Sequence, residues 1–473
     1  MAVGSSNSFD LVVLGAGTGG YAAAFRASQL GLKVALVDQG KIGGTCLHRG
    51  CIPTKALLES AAVAERMRHA ADFGIGGCGS LAVDYAKVAQ RRDMVVNRMW
   101  KGLTSLVKKY NVAWVEGRGR LDGAHKVRVT GPDGTEVVLE ATDVILATGS
   151  RAKSLPGITP DGERIVTSDD VLKRGSLPGS VIVIGAGAVG VEFASFYHDM
   201  GATVTLLEYL PTVVPLEDRD VSRELERTFT RRGIRVMTSA RFDAASVVAS
   251  ADGVRITVGP DGGQAEELGA EMLLVAAGRA TNVEDVGLET TAAEVDRGIV
   301  RVDGLMRTRE PHLYAIGDIV GGLQLAHTAA HEGIIAAHVI AGEADVHPMD
   351  YVRQPRATYC RPEIASVGLT EQQCEAQGIP VKIGKVPFQA VGKAIIGGEY
   401  EGFAKVIGHA ETDQTLGVHL IGPHATDLIG EASVALYLEA APWEIGSATH
   451  AHPTLSEILG EAAMAVDGRS INF

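Results

Sequence analysis

The apolar positions of the chain form the same succession of elements twice. In the first copy, the apolar run Leu11–Leu14 leads into a glycine-rich turn, an alanine-rich stretch with helical spacing to about Leu30, and a second apolar run that ends at Asp38. In the second copy, Val181–Ile184 leads into a similar turn and helix, and the next apolar run ends at Glu208. Short apolar runs that alternate with helical patterns predict two βαβ units with parallel strands.

Both glycine turns have the spacing that a dinucleotide site requires. Each reads Gly-x-Gly-x-x-Gly, follows a predicted strand and opens a predicted helix. One such motif is weak evidence, but in this context the first glycine makes the turn, the second lets the backbone approach a pyrophosphate, and the third packs helix on strand. The helix N-terminus then attracts the anion. We therefore predict two dinucleotide sites, built from Gly15, Gly17, Gly20 and Asp38, and from Gly185, Gly187, Gly190 and Glu208.

The acid of the second unit indicates which nicotinamide cofactor that unit binds. Glu208 can hold the two hydroxyl groups of a ribose. It is followed by Tyr209, Leu210 and Pro211 rather than by an arginine that would accept a 2′-phosphate. The second site is therefore expected to prefer NAD to NADP.

The remaining apolar runs place further glycines and acids at strand ends. The runs Asp143–Ser150, Met272–Arg279 and His312–Asp318 each predict a strand that leads into a glycine turn. Between the two units, a helical pattern over residues 84–110 is followed by short alternating strands. From about Tyr351 the pattern changes to strands and two helices, which indicates a separate C-terminal domain.

Composition narrows the class of protein. A chain of 473 residues is expected to form about three domains. Its net charge of −13 lacks the positive field that would draw it to nucleic acid or anionic lipid. No run of about 18 apolar residues could span a bilayer, and the start MAVGSSNSFD lacks the features of a signal or transit sequence. We therefore expect a cytoplasmic protein that binds neither nucleic acid nor membrane.

Two of the cysteines have a spacing that suggests chemistry. Four residues separate Cys46 from Cys51, whereas zinc sites more often use Cys-x2-Cys with a second pair downstream, so a metal site is disfavoured. Pro53 suits the first turn of a helix that continues to Arg68, and a Cys51 thiolate would be stabilised at that N-terminus. A redox-active disulfide is therefore favoured over two unpaired buried cysteines in a loop. The other cysteines are expected to be inert: Cys78, Cys360 and Cys374.

A histidine segment near the C-terminus has two interpretations. Thr454-x-x-Glu457 matches a capping box, which would give the glutamate a purely structural role. Alternatively, Glu457 orients the ring of His452, just outside the helix, so that the imidazole takes and returns a proton. The spacing leaves both open, and a redox disulfide elsewhere favours the acid-base role because thiol chemistry needs a base. His450 is expected to pack or to face solvent rather than to bind metal.

Two further charged residues have no function that their position alone reveals. Lys55 and Glu192 each lie in the first part of a predicted helix. Solvation would explain the lysine there, and the helix macrodipole would explain the glutamate. Any chemical role for either residue therefore needs support from elsewhere in the chain.

Taken together, these motifs resemble those of the pyridine nucleotide-disulfide oxidoreductases. The two dinucleotide units and the segments GGTCLHRGCIPTKALL, YAIGDI and HAHPTLSE carry the resemblance, which extends over essentially the whole chain. It implies an α/β protein with two Rossmann-like dinucleotide-binding domains and a C-terminal α+β dimerisation domain. The FAD-binding domain would comprise residues 1–150 and 279–350, the NAD-binding domain residues 151–278, and the dimerisation domain residues 351–473.

The resemblance also implies a role for each candidate site residue. Cys46 would exchange with substrate, Cys51 would contact the flavin, and His452 of the partner subunit, oriented by Glu457, would be the acid-base group. Lys55 would lie near the flavin and pair with Glu192. The FAD site would be formed by Gly15, Gly17, Gly20, Asp38, Gly119, Thr148, Gly149, Ser150, Asp318, Leu325, Ala326 and His327. The NAD site would be formed by Gly185, Gly187, Gly190, Glu208 and Gly278, and no metal is expected.

The activity implied is the oxidation of dihydrolipoamide by NAD, since the chain is most similar to the family members that catalyse it. The expected partners are a second copy of the chain, with a shared active site, and the lipoyl-bearing protein of a 2-oxoacid dehydrogenase or glycine cleavage complex. One alternative is a related reductase for glutathione, mercuric ion or another disulfide. Another is a binding or sensor subunit whose turnover is incidental.

Two departures from the family pattern remove none of the catalytic groups that the resemblance implies. The loop between the cysteines reads Leu-His48-Arg49-Gly where Leu-Asn-Val-Gly is commoner, and Asp38 stands where glutamate is commoner. The two cationic side chains add positive charge near the disulfide, so we expect them to shift its redox potential or the range of its acceptors.

Overall fold

The structure, a computed structural model, describes residues 7–76, 81–260 and 263–473. Cys78, expected to be inert, lies outside the described residues. The helices are α1 Thr18–Gln29, α2 Gly44–Arg49, α3 Cys51–Arg68, α4 Tyr85–Lys109, α5 Ser168–Val171, α6 Ala188–Asp199, α7 Arg219–Arg232, α8 Ala326–Ile340, α9 Glu371–Gln377, α10 Gly392–Gly397, α11 Ala425–Tyr437, α12 Pro442–Ser447 and α13 Glu457–Ala465.

The strands are β1 Ser8–Leu14, β2 Val34–Asp38, β3 Ala113–Glu116, β4 Arg118–Leu121, β5 Lys126–Thr130, β6 Glu136–Leu146, β7 Ser150–Ala152, β8 Ile165–Thr167, β9 Ser180–Ile184, β10 Thr203–Leu207, β11 Arg235–Met237, β12 Ala240–Phe242, β13 Val248–Ser250, β14 Gly253–Pro260, β15 Glu266–Ala270, β16 Met272–Val275, β17 Arg279–Thr281, β18 Val295–Asp296, β19 Ile299–Val300, β20 Leu313–Ala315, β21 Arg356–Thr358, β22 Glu363–Gly368, β23 Val381–Pro387, β24 Phe403–His409 and β25 Thr415–Gly422. In the described chain, β3 to β8 and β11 to β20 each follow one another without an intervening α-helix, as do the pairs β21–β22 and β24–β25, whereas the other strands alternate with helices.

One compact unit comprises residues 1–56, 87–152 and 279–351. Its sheet has the order β3-β2-β1-β6, and β20 pairs in parallel with the end of β6 while β5 and β4 extend the sheet in antiparallel fashion from its start. The central strands are buried on both faces, with Leu11, Val12 and Val13 all at 0% exposure, as expected for a parallel sheet covered by helices. Helices α1 and α8 pack closely because Gly333 lies against Gly19, where an added Cβ would come within 2.6 Å of the carbonyl oxygen.

The second compact unit comprises residues 57–86, 153–278 and 352–473. It contains a parallel sheet of order β11-β10-β9-β16-β8, an antiparallel sheet formed by β12 to β15, and an antiparallel sheet of order β21-β22-β25-β24-β23 packed against α11 and α13. A buried ammonium helps to hold this unit together, since Lys405 Nζ on β24 donates to Asp218 at 2.9 Å and to Asp220 at 3.1 Å. An ion pair of this kind is tolerated inside a protein because each charge is hydrogen-bonded.

The predicted βαβ units are confirmed. The first consists of β1, α1 and β2 and the second of β9, α6 and β10, with parallel pairing throughout. The helix predicted over residues 84–110 is α4. The predicted division into three domains stays a prediction. None of the helices in the described part of the chain has an apolar stretch long enough to cross a membrane.

The expectation of two helices after about residue 351 was wrong. The described chain has five there, α9 to α13, and three of them have only six or seven residues. Such short helices complete fewer than two turns, so they show no hydrophobic periodicity. Local signals mark them instead: Thr370 and Gln373 cap α9 reciprocally, and Pro442 occupies the first turn of α12.

Candidate active site

The first glycine turn has the geometry that its motif predicts. Gly15 has φ +109°, and a Cβ there would lie 2.2 Å from the carbonyl oxygen of Ala147. A Cβ on Gly20 would lie 1.8 Å from the Gly15 oxygen, so this glycine lets α1 pack on β1. A Cβ on Gly17 would meet no atom within 4 Å. The backbone at Gly17 is thus open at the N-terminus of α1, which fits a pyrophosphate of FAD.

The second turn repeats this geometry. Gly185 has φ +99°, and its Cβ would lie 2.6 Å from the oxygen of Ala276. A Cβ on Gly190 would lie 1.8 Å from the Gly185 oxygen, whereas one on Gly187 would meet nothing within 4 Å. The residues present therefore fit a second dinucleotide. The two turns have similar geometry, so the same arrangement of glycines fits a dinucleotide in each unit.

A pair of substitutions should separate the packing role from the binding role in the second turn. We expect Gly190→Ala to lower the free energy of unfolding by about 1–3 kcal/mol and to weaken NADH binding, because the methyl group cannot fit without opening the turn. Gly187→Ala should leave the melting temperature unchanged and affect only NADH affinity. Both variants should retain flavin. Calorimetry and NADH titration check this, and a wild-type melting temperature for Gly190→Ala would contradict it.

The two acids expected to hold ribose hydroxyls also brace the turns. Asp38 Oδ2 accepts the N–H of Ala16 at 2.7 Å, and Glu208 Oε2 accepts the N–H of Ala186 at 2.6 Å. Each carboxylate thereby ties the end of a second strand to the residue between the first two glycines. Sequence reasoning missed this role, which also fixes each carboxylate at the rim of its turn. The ribose contacts themselves stay predictions.

The segment expected to line the flavin is brought together from distant parts of the chain. Ser150 Oγ donates a hydrogen bond to Asp318 Oδ2. Arg279 Nε donates to Ser150 Oγ at 2.6 Å and lies 3.6 Å from Asp318 Oδ2. Sequence reasoning missed Arg279 as a member of this cluster. A signal was available, because Arg279 follows Gly278 just as Ser150 follows Gly149.

Asn282 braces the same segment from the side. Its Nδ2 donates to the Thr148 oxygen at 2.9 Å, its backbone N–H donates to the Gly149 oxygen at 2.9 Å, and its carbonyl accepts the Thr148 hydroxyl at 2.7 Å. Gly149 has φ +68°, a conformation that favours glycine. Residues 148–150 are thus held by strand pairing between β7 and β17 and by Asn282, through both its side chain and its backbone.

Other residues expected at the FAD site have clear structural positions. A Cβ on Gly119 would come within 2.3 Å of the Leu14 side chain, so a larger residue there would displace that side chain. Leu325 precedes the first turn of α8, which begins at Ala326 and includes His327. A helix N-terminus offers N–H groups that favour an anionic ligand. The flavin contacts of these residues stay predictions.

The cysteine segment lies directly against the first glycine turn. The N–H of Gly43 donates to the oxygen of Ala16 at 2.9 Å, and a Cβ on Gly44 would lie 2.6 Å from the Cα of Gly17. Two glycines at this point therefore allow the backbone of the cysteine segment to touch the turn that fits the FAD pyrophosphate. The cysteine segment therefore lies beside the turn that fits the FAD pyrophosphate, and its contact with the flavin stays a prediction.

The two cysteines form one interacting pair. Cys46 lies in α2, and α3 begins at Cys51, as expected. The hydrogen bond with Cys51 and burial raise the pKa of the Cys46 thiol, while a hydrogen bond with Thr18 and the charge of Lys55 act in the opposite direction. The lysine thus favours the thiolate at Cys46. Thr18, which sequence reasoning missed, is the residue that follows the second glycine of the motif.

Glu192 and Gly278 lie in the second unit. Glu192 is buried at 4% exposure, and its Oε1 accepts the N–H of Tyr359 at 2.9 Å. It is therefore not a solvent-exposed carboxylate whose only role is to stabilise the helix macrodipole. Gly278 has φ +95°, with open space where a Cβ would lie. The pairing of Glu192 with Lys55 stays a prediction.

One carboxylate in the histidine segment forms half of the predicted capping box and also orients His452. Glu457 Oε1 bonds His452 Nδ1 at 2.9 Å, and Oε2 accepts the Thr454 N–H at 2.9 Å. The Thr454 hydroxyl donates to the Ala451 oxygen, so only one arm of the capping box forms. Hydrogen bonds from Thr454 and His452 lower the pKa of Glu457. The ionised carboxylate therefore orients an imidazole whose side chain is 76% exposed.

The neighbouring histidine and the other described cysteines are packed groups. His450 Nε2 bonds Glu431 Oε1 at 2.8 Å, and its side chain is only 12% exposed. Cys360 and Cys374 are buried, and burial raises the pKa of each thiol. His450 therefore lacks the exposure that an acid-base group needs. Cys360 and Cys374 lack both the exposure and the thiolate character that reactive cysteines need.

Comparison with known proteins defines the class to which this arrangement belongs. The family model described as pyridine nucleotide-disulphide oxidoreductase matches residues 9–333, and the model for its dimerisation domain matches residues 354–463. The chain therefore belongs to the pyridine nucleotide-disulphide oxidoreductase family. The predicted α/β fold, the oxidoreductase class and the cofactors FAD and NAD are thereby confirmed, and the chain contains a dimerisation domain.

Individual relatives cover nearly the whole chain. The dihydrolipoyl dehydrogenase of Bacillus subtilis is 46% identical over 98% of this chain and 99% of its own length. That of Zymomonas mobilis is 42% identical over 98% of this chain and 99% of its own. Among solved structures, LpdA from Mycobacterium tuberculosis has a TM-score of 0.88 and 30% identity, covering 96% of this chain and 98% of that chain.

Proposed function

We propose that this chain is an NAD-dependent dihydrolipoyl dehydrogenase that acts through a Cys46–Cys51 disulfide. The observation that carries the proposal is the thiol pair held against the glycine turn that fits FAD. Full-length relatives named dihydrolipoyl dehydrogenase support the choice of substrate. A chain used only as a binding or sensor subunit would have no need of both the thiol pair and the Glu457-oriented imidazole.

The first half-reaction is a thiol–disulfide exchange. His452 Nε2 takes the proton of one dihydrolipoamide thiol, since Glu457 holds Nδ1. The thiolate attacks Cys46 Sγ, the Cys46–Cys51 bond breaks, and Cys51 leaves as a thiolate at the N-terminus of α3. The second substrate sulfur then attacks the substrate sulfur bound to Cys46, and its proton passes to the Cys46 sulfur that leaves, so that Cys46 ends as a thiol and Cys51 as a thiolate. Oxidised lipoamide leaves, and both cysteines are reduced.

The chain's contribution to the rest of the cycle is placement. FAD, when bound, relays the two electrons from the reduced pair to NAD. Gly15, Gly17 and Gly20 would hold its pyrophosphate, and the Ser150, Asp318 and Arg279 cluster would hold the flavin end. The second glycine turn and Glu208 would hold NAD. The charge of Lys55 opposes the rise in the pKa of the Cys46 thiol that the Cys51 hydrogen bond and burial cause.

The exposed position of His452 supports an active site shared between subunits. Two copies would pair through their dimerisation domains, so that His452 of the partner subunit serves the cysteines of each chain. The lipoyl group would be presented by another protein of a 2-oxoacid dehydrogenase or glycine cleavage complex. The same proposal places the enzyme in the cytoplasm.

An anaerobic assay with dihydrolipoamide tests the function and the nucleotide preference together. We expect NADH formation, with kcat/KM for NAD exceeding that for NADP by at least about 100-fold, because a 2′-phosphate would face the fixed Glu208 carboxylate. Glu208→Gln should narrow this ratio by removing the charge while leaving flavin content unchanged.

The same assay distinguishes the competing functions. Oxidised glutathione reduced with NADPH, or mercuric ion reduced with either nucleotide, at a rate above that of dihydrolipoamide oxidation would favour the related reductases. A flavin that NADH reduces, without turnover of any of these substrates, would favour the sensor. Equal rates with NAD and NADP would contradict the role given to Glu208.

A further inference from the structure

One buried carboxylate beside the flavin segment has no part in the reaction above. Glu332 lies in the middle of α8 and is 2% exposed. Its Oε2 accepts the N–H of Gly317 at 2.6 Å, and its Oε1 accepts the hydroxyl of Tyr351 at 2.8 Å. Burying a carboxylate is unfavourable unless its oxygens are hydrogen-bonded. These two contacts are therefore the reason that the site accepts a glutamate.

The first contact controls the turn that contains Asp318. Gly317 has φ +76° and opens the 3-10 turn Gly317–Val320. Its N–H is the donor to Glu332, so the carboxylate fixes the Ile316–Gly317 peptide plane, which lies one residue before Asp318. The Asp318 side chain is then held by Ser150 and approached by Arg279. Through its hydrogen bond to Gly317, Glu332 thus helps to fix the position of Asp318, the residue expected to contact the flavin.

The second contact fixes the loop that follows this turn. Tyr351 packs against Gly322, where a Cβ would lie 3.3 Å from the ring carbon Cε1. Gly322 is in the loop that connects the 3-10 turn to α8. Glu332 contacts Gly317 and Tyr351 contacts Gly322, so the two side chains hold both ends of residues 317–322. The hydrogen bond between the Tyr351 hydroxyl and the Glu332 carboxylate links them.

Burial makes the ionised form of the Glu332 carboxyl less favourable. Burial raises its pKa to about 7, while the hydrogen bonds from Gly317 and Tyr351 act in the opposite direction and the charge of Asp318 adds to the rise. An apolar side chain would fill the same space without this penalty. The contribution of Glu332 to this region is therefore its two hydrogen bonds, to Gly317 and Tyr351, rather than the space that its side chain fills.

We propose that Glu332 is a positioning residue for the flavin, which holds Gly317 and Tyr351 so that Asp318 is presented to FAD in a fixed geometry. The inference concerns retention of the cofactor alone. It therefore holds whichever disulfide is the substrate, and its failure is distinguishable from a failure of the proposed function.

Replacing Glu332 with methionine, which has a similar volume, tests the proposal. Both donors would lose their acceptor, and we expect the dissociation constant of FAD, measured by reconstituting the apoprotein, to rise at least about tenfold. Glu332→Gln should retain most of the affinity, because its amide oxygen can accept from Gly317 and its amide nitrogen can donate to the Tyr351 oxygen. Glu343→Gln, at an exposed glutamate just after α8, is the matched control.

A second variant and a stability measurement complete the test. Tyr351→Phe removes one hydroxyl and should weaken FAD binding by about threefold, which decides the matter if Glu332→Met does not fold. The melting temperature of the folded apoprotein variants should stay near that of wild type. Wild-type FAD affinity in Glu332→Met, or in Tyr351→Phe where the methionine variant does not fold, would overturn the proposal. So would a drop in apoprotein melting temperature that accounts for the whole effect.

Discussion

Replacing His452 with alanine is expected to lower kcat for dihydrolipoamide oxidation by about 10²–10⁴-fold. The imidazole is exposed, and its Nδ1 is held by the ionised Glu457, so Nε2 is available to take the thiol proton. Without it, the substrate enters the exchange as a thiol, which is a far weaker nucleophile than its thiolate. Stopped-flow and steady-state measurements with dihydrolipoamide check this result.

The controls for this variant separate chemistry from folding. Reduction of the flavin by NADH should remain at the wild-type rate in His452→Ala, because that step does not use the imidazole. His450→Ala, two residues away, should keep most of the turnover, since His450 is a packed group bonded to Glu431. A His452→Ala enzyme with more than about a tenth of wild-type kcat would argue against the acid-base role.

Replacing Cys46 with serine is expected to abolish dihydrolipoamide oxidation, with a loss of at least about 10³-fold. A serine cannot form the disulfide that accepts the substrate's electrons. Cys51→Ser should lose as much, because either sulfur alone is useless for the exchange. The double variant should be no worse than either single variant, since residues that act as one unit have non-additive effects.

Flavin content and a distant cysteine provide the controls for the thiol pair. Both single variants should purify with bound flavin that NADH still reduces, since the glycine turns are untouched. Cys374→Ala, at a buried thiol in α9, should keep wild-type turnover. Measurable dihydrolipoamide-dependent NADH formation by Cys46→Ser would show that the electrons take another route.

The glycine turns could be predicted from the sequence because each glycine answers a separate steric requirement. Gly20 and Gly190 avoid a clash of 1.8 Å, and Gly17 and Gly187 leave open space, as the motif implies. These constraints are local, within about one βαβ unit, so the spacing of residues expresses them. Cys51 at the start of α3 was predictable for the same reason, from Pro53 in the following turn.

Contacts between distant segments could not be read in this way. Arg279 and Asp318 meet Ser150 only because β7 pairs with β17 and β20 pairs with β6. No spacing along the chain encodes that register. The carboxylate of Glu457 is a related case, since a capping box predicts its bond to the Thr454 N–H but not that the second oxygen orients His452. Sequence reasoning therefore missed contacts that depend on pairing between distant strands, and it missed the second hydrogen bond of a carboxylate that has two partners.

The central claim is that dihydrolipoamide reduces a disulfide between Cys46 and Cys51. We would mix the anaerobic, oxidised enzyme with one equivalent of dihydrolipoamide, without NAD, and map by alkylation and mass spectrometry which cysteines become reactive. We expect Cys46 and Cys51 to become alkylated together in wild type, and the rate of this change to fall sharply in His452→Ala. Reduction of the flavin while both cysteines keep their alkylation state would contradict it.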